Sequence, residues 1–158
     1  MNFGEAIPER VELNRRDAEA QRINEITQQI IGAAIEVHRE LGPGLLESAY
    51  HQCLCHELNL RGIRFESKVP LPVRYKGILL DCGYEMDLVV ENLVVVELKT
   101  VEELHPIHEA QLLTYLKLYN RTVGLLINCH VVVLREGVKR MVNNFADTSA
   151  SPRLGGSD

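Results

Sequence analysis

Leu93-Val94-Val95-Val96 runs directly into Glu97-Leu98-Lys99. Four aliphatic residues in a row read as a strand covered on both faces. A covered strand rarely ends in a carboxylate and an ammonium unless those charges bind something, because burying an unpaired charge is costly. A second apolar stretch upstream carries Asp87, ten positions before Glu97. This donor set suits a hard cation such as magnesium, which takes one or two carboxylates, keeps several waters and meets a substrate phosphate. The expectation is a metal-dependent phosphodiesterase.

Register decides whether such a site can form, because side chains alternate across a sheet. A two-residue turn at Glu91-Asn92 would pair Val90 with Leu93 and set Asp87 against Val96, leaving Glu97 on the other face. A three-residue loop of Glu91, Asn92 and Leu93, or a bulge, pairs Asp87 with Glu97. Metal binding therefore demands the odd loop or the bulge. Lys99, two residues past Glu97, shares its face in a regular strand. The tripeptide alone means little, since Glu66-Ser67-Lys68 has the same form. The apolar run and the upstream Asp87 set Glu97-Leu98-Lys99 apart.

Gln111 and Tyr115 are four apart and fall on one helix face, together with His108. Glu47 lies three residues before Tyr50, at the edge of another apolar stripe. Its ordinary reading is a surface pair with His51 one turn on, worth about 0.2–0.5 kcal/mol. No zinc-hydrolase histidine spacing, P-loop or nucleophile elbow is present in the sequence.

Ile23, Ile26, Ile30, Ala33, Val37 and Leu41 recur at helical spacing, and Gly42-Pro43-Gly44 stops that helix. A second helix carries Leu46, Ala49, Tyr50, Cys53, Leu54 and Leu58 and ends near Arg61-Gly62. Ile63, Phe65 and the stretch Val69 to Tyr75 read as extended, as do Ile78–Val90 and Leu93–Leu98, with Pro70 and Pro72 marking a sheet edge or bend. Pro106 opens a third helix through Tyr119. Val123–Asn128 and Val131–Leu134 read as strands, and Glu136-Gly137 turns the chain into a short last element near Met141. The order is that of a helix-flanked α/β domain with a mixed sheet of about four to five strands, placed at residues 21–146 with the site at one sheet edge. Residues 1–20 read as a flexible or loosely helical extension, and 147–158 as a disordered tail.

A net charge of −5 over 158 residues argues against a protein held on DNA by bulk positive charge. The sequence lacks a membrane-length apolar run or a signal-peptide pattern, and its four cysteines lack zinc-ribbon spacing. A reduced, cytoplasmic protein is expected.

Gly44-Leu45-Leu46-Glu47-Ser48-Ala49-Tyr50 matches the signature of the GxxExxY protein family, which is similar to the PD-(D/E)XK nuclease superfamily. The resemblance continues in order through Tyr75-Lys76-Gly77, Asp87, Glu97-Leu98-Lys99, the segment His108 to Leu116, Gly124 to Asn128 and Gly137 to Arg140. Glu85 near Asp87, and Cys129-His130, depart from the family pattern outside the acidic cluster. The resemblance implies a restriction-endonuclease-like fold. It implies Asp87 and Glu97 as metal ligands, Glu47 completing the acidic cluster, and Lys99 as the basic group near the attacking water. Gln111 and Tyr115 would be the Gln-x-x-x-Tyr element of RecB-like nucleases, and the carbonyl of Leu98 an extra ligand. The expected activity is magnesium- or manganese-dependent hydrolysis of DNA. The alternative is a non-catalytic module that keeps the fold and binds nucleic acid or protein. A protein partner or a homo-oligomer stays open.

Overall fold

A computed structural model of the chain describes residues 8–144. The tail expected over 147–158 and the first seven positions lie outside the described residues. Helix α1 (Glu9–Leu41) starts well before the apolar stripe that begins at Ile23. Its first turns are built from polar helix formers. Glu9 and Glu12 face the positive end of the helix dipole, and Glu12 pairs with Arg15 at 2.6 Å and Arg16 at 3.3 Å. Gly42, with φ of 72°, ends the helix in a conformation that costs glycine little. Helix α2 (Glu47–Leu60) follows after a short loop.

Seven strands come next, with one helix among them: β1 (Phe65–Pro70), β2 (Val73–Tyr75), β3 (Ile78–Leu80), β4 (Glu85–Val90), β5 (Val94–Lys99), α3 (Pro106–Tyr119), β6 (Val123–Asn128) and β7 (Val138–Val142). The main sheet has five strands in the order β1-β4-β5-β6-β7, and β2 and β3 form a separate hairpin. Among the described residues only β5 and β6 run parallel, joined by the α3 crossover. Val94, Val96 and Leu98 pack with α1 and α2 on one face. Val95, with Val89 and Leu126, packs on the other face against Leu112, Tyr115 and Leu116 of α3. The result is a mixed sheet between helices, the α/β arrangement expected.

Three local expectations need correction. Ile78–Val90 is two strands, because Asp81 Oδ1 accepts the Gly83 N–H at 3.0 Å and Gly83 takes a φ of 77°; this side-chain turn ends the hairpin before β4 begins. Val131–Leu134 is no strand: Val132 is 87% exposed, and Leu134–Gly137 is a turn of 3-10 helix. The fifth strand of the sheet is β7, which forms the short last element expected near Met141. The third correction concerns the site. Asp87 and Glu97 stand on β4 and β5, which are interior strands, so the site is not at a sheet edge.

The β4–β5 turn settles the register. Val90 pairs with Val94 and Leu88 with Val96, which is the three-residue loop of Glu91, Asn92 and Leu93. Glu91 and Asn92 both hold positive φ, 51° and 56°, which costs side chains other than glycine some strain. Distant residues hold them there. Arg121, 4% exposed, donates from Nε to the Asn92 carbonyl at 3.0 Å and from Nη2 to Asn92 Oδ1 at 2.8 Å. The Glu91 N–H donates to the Arg64 carbonyl at 2.9 Å, and its carboxylate pairs with Arg64 and Arg22. Arg121→Met should therefore cost about 2–3 kcal/mol, because it strips buried acceptors of their donor. Urea denaturation reads this directly. A loss below about 0.5 kcal/mol, the scale of an ordinary surface change, would mean that the turn holds its register without Arg121.

Candidate functional site

Asp87 is where the ladder opens. Leu88, Val89 and Val90 pair on both sides with β1 and β5. Lys68, opposite Asp87, drops out of the β1 pairing and takes a φ of 54°. The side-chain alternation slips at the same point, since Met86 and Val89 both join the α3-side core. With the β4–β5 ladder ended, the Leu98 N–H donates at 2.8 Å to Asp87 Oδ2. The Asp87 N–H donates in turn to Glu97 Oε1 at 3.3 Å. The two residues thus meet across diverging strands, each side chain taking the place of a ladder acceptor.

Glu97 is buried, 6% exposed. Burial first, then the Asp87 charge and a hydrogen bond with the Asp87 side chain, push its carboxyl up to about 9, against the weaker opposing effects of the Asp87 N–H and the Lys99 ammonium. A carboxyl raised that far favours its protonated form at neutral pH when no metal is bound. Lys99 is half-buried at the end of β5 and is placed by its neighbours. It is paired with Asn128 of β6, and its carbonyl accepts the Cys129 N–H at 2.8 Å. The buried Asn128 amide clamps the departing chain, accepting the Val101 N–H at 3.1 Å and donating to the Val101 carbonyl at 2.8 Å.

Tyr50 explains the position of Glu47. Its buried hydroxyl donates to the Gly42 carbonyl and accepts the Leu45 N–H at 3.2 Å, bracing the loop that starts α2. Glu47, in the first turn of that helix, is exposed at the rim of an open cavity of about 550 Å³ that Asp87 also lines. Partial burial and the Asp87 charge raise its carboxyl, while Lys99 and His51 pull it down. Glu47 thus belongs electrostatically with Asp87 and Lys99. It is not a lone surface partner of His51.

On the opposite face, Gln111 Nε2 donates to the Tyr115 hydroxyl at 3.2 Å. Burial, then the charge of Glu97, raise the Tyr115 phenol, and its ring lies 6.2 Å from that of Tyr84. The structure therefore brings Glu47, Asp87, Glu97, Lys99 and Tyr115 into one electrostatic neighbourhood, with Gln111 bonded to Tyr115. One contributor was missed from the sequence. His51 Nε2 lies 3.1 Å from the Asp87 carbonyl and 3.1 Å from Ser67 Oγ. A carbonyl only accepts, so Nε2 carries the proton. His51 thereby satisfies the Asp87 carbonyl where the ladder with β1 fails.

The order of these parts is that of a known family. The family model of the PD-(D/E)XK nuclease superfamily matches residues 24–141. The chain belongs to that superfamily. No curated protein and no solved structure matches it. The narrower GxxExxY resemblance rests on the sequence segments alone. Nucleases of the superfamily generally use divalent metals such as magnesium. The donor set fits that preference, with carboxylates and a backbone carbonyl, all oxygen. Among the described residues no three His, Cys, Asp or Glu side chains are grouped to hold a metal. A cation here would rest on two carboxylates with a carbonyl and water, which is magnesium's habit. Cys129 is no competitor, because burial and then the Glu47 charge keep its thiol protonated up to about 12. Among the described residues no helix is long and apolar enough to cross a membrane.

Proposed function

We propose that this superfamily member hydrolyses DNA phosphodiester bonds with magnesium, or manganese in its place. One observation carries the reading: the Asp87 and Glu97 side chains meet in a gap of the β4–β5 ladder, with Glu97 buried there. A structural core would fill that gap with apolar groups. A dication would displace the Glu97 proton and reward the burial. Asp87 and Glu97 are the proposed ligands, with the Leu98 carbonyl as a third donor and Glu47 completing the acidic set. The chemistry such a bound magnesium would supply is a lowered pKa for a water and neutralised charge on the phosphate. Lys99 presents an ammonium on the same side to orient the water or meet a phosphate oxygen. Tyr115, held by Gln111, braces the site from α3. Calorimetry with magnesium chloride tests the reading. The wild type should bind, and Asp87→Asn should bind at least about tenfold more weakly, since a ligand charge is lost.

A second reading, a non-catalytic module that retains the fold, is favoured by the absence of a three-side-chain metal cluster among the described residues and by the net charge of −5. Under it, magnesium binding and DNA cleavage would both be undetectable in the wild type.

A further inference from the structure

The cavity beside the acidic pair runs between α2 and the edge strand β1 and is lined by Ser48, His51, Gln52, Ser67, Lys68 and Asp87. We infer that it receives one unpaired nucleotide of the strand being cut, so that the substrate is single-stranded DNA or a frayed end and not an intact duplex. The inference rests on the nuclease reading above and deepens it. Size is the first argument. A cavity of about 550 Å³ suits one small ligand, and α2 and β1 wall it on two sides, so a paired base could enter only by leaving its partner. Continuity is the second, because Asp87 lines the same cavity and a strand seated there passes the proposed cleavage point.

Charge is the third argument. Glu47 and Asp87 make the mouth acidic, so a phosphate needs a cation of the chain to hold it there. Lys68 supplies one. Lys68 lines the cavity, and its ammonium pairs with no carboxylate among the described residues. Four arginines of α1 are engaged elsewhere, Arg15 and Arg16 with Glu12, Arg22 with Glu91 and Arg39 with Glu36. Lys68 also occupies the position that leaves the ladder opposite Asp87, and both residues line the cavity. Around it, the Gln52 amide and the Ser48 and Ser67 hydroxyls offer neutral donors and acceptors to a base or sugar edge. A net charge of −5 argues against holding a duplex by bulk positive charge.

The test uses the full chain with magnesium, a fluorescent 12-nucleotide oligothymidine and a blunt 20-base-pair duplex, with cleavage followed against salt. Lys68→Asn removes the charge and tolerates the left-handed backbone, and Lys68→Arg keeps the charge. The wild type should cleave the single strand at least about tenfold faster than the duplex. Lys68→Asn should raise KM about fivefold with kcat little changed and lower the salt slope by about one, as loss of one phosphate contact does. Lys68→Arg should restore KM, and magnesium binding should be equal in all three proteins. If the wild type cleaves and Lys68→Asn has an unchanged KM, or the duplex is cut equally well, the subsite is refuted while the nuclease reading stands. If the wild type cleaves neither DNA, the nuclease reading falls and takes the subsite with it.

Discussion

Glu97→Gln should be more stable than the wild type in EDTA, and the gap should widen as pH rises. The carboxyl of Glu97 is raised to about 9 in the folded chain, by burial first and the Asp87 charge second, against 4.5 for an ordinary glutamate. Between those values the folded state binds more protons than the unfolded one, so stability falls with increasing pH. The contribution is complete below pH 4.5 and is lost as pH climbs to about 9. At about 1.4 kcal/mol per unit, the loss is of the order of 3 kcal/mol near pH 7. Glutamine keeps the shape, can still accept the Asp87 N–H, and offers an amide donor where the Glu97 proton stood. It does not titrate, so its curve should be flat where the wild type declines. Denaturation in EDTA at pH 5, 7 and 9 measures this. Parallel curves for the two proteins would show that Glu97 is not held protonated. Magnesium should then stabilise the wild type most at high pH, where fewer protons must leave, and should do little for the variant.

That cost explains why the site was legible at all. An aliphatic run ending in Glu97 conflicts with its own burial, and such local conflict marks function more often than folding. Helices α2 and α3 were readable because their apolar spacing, the stop of α2 at Gly62 and the start of α3 at Pro106 are local. Register was not. The sequence left a two-residue loop, a three-residue loop and a bulge open, and the three-residue loop that forms is bonded by Arg121, whose side chain reaches Asn92 across 29 positions. His51 was misjudged for the same reason. Helical spacing showed Glu47 one turn away, whereas the contact that matters is the Asp87 carbonyl, 36 positions on. Val131 to Val133 deceived in the opposite sense. They are aliphatic, but Val132 and Val133 face solvent, while the true edge strand β7 carries Lys139 and Arg140 and shows weak alternation, as edge strands do.

Lys99→Ala should fold normally and lose catalysis. The side chain is half-buried and makes no ion pair among the described residues; its removal should cost less than about 1 kcal/mol of stability. Its charge nevertheless reaches both Glu47 and Glu97, lowering each carboxyl. Two consequences oppose each other for magnesium. Without the ammonium the carboxylates protonate more readily, which weakens metal binding, but a dication also loses a repelling neighbour. Magnesium affinity should therefore stay within about tenfold, one factor of ten being 1.4 kcal/mol. Catalysis has no such cancellation. An ammonium aimed at charge developing on the phosphate acts only in the transition state, and losing one such donor costs about 10²–10³ in kcat. Lys99→Arg keeps the charge but replaces a compact donor with a planar fork, so it should bind magnesium and still lose most activity. Cleavage of single-stranded and linear DNA with magnesium, then manganese, reads all three proteins. Equal cleavage by the wild type and Lys99→Ala would remove Lys99 from the mechanism. Loss of magnesium binding in Lys99→Ala would instead make it a support of the metal site, with no direct part in the reaction.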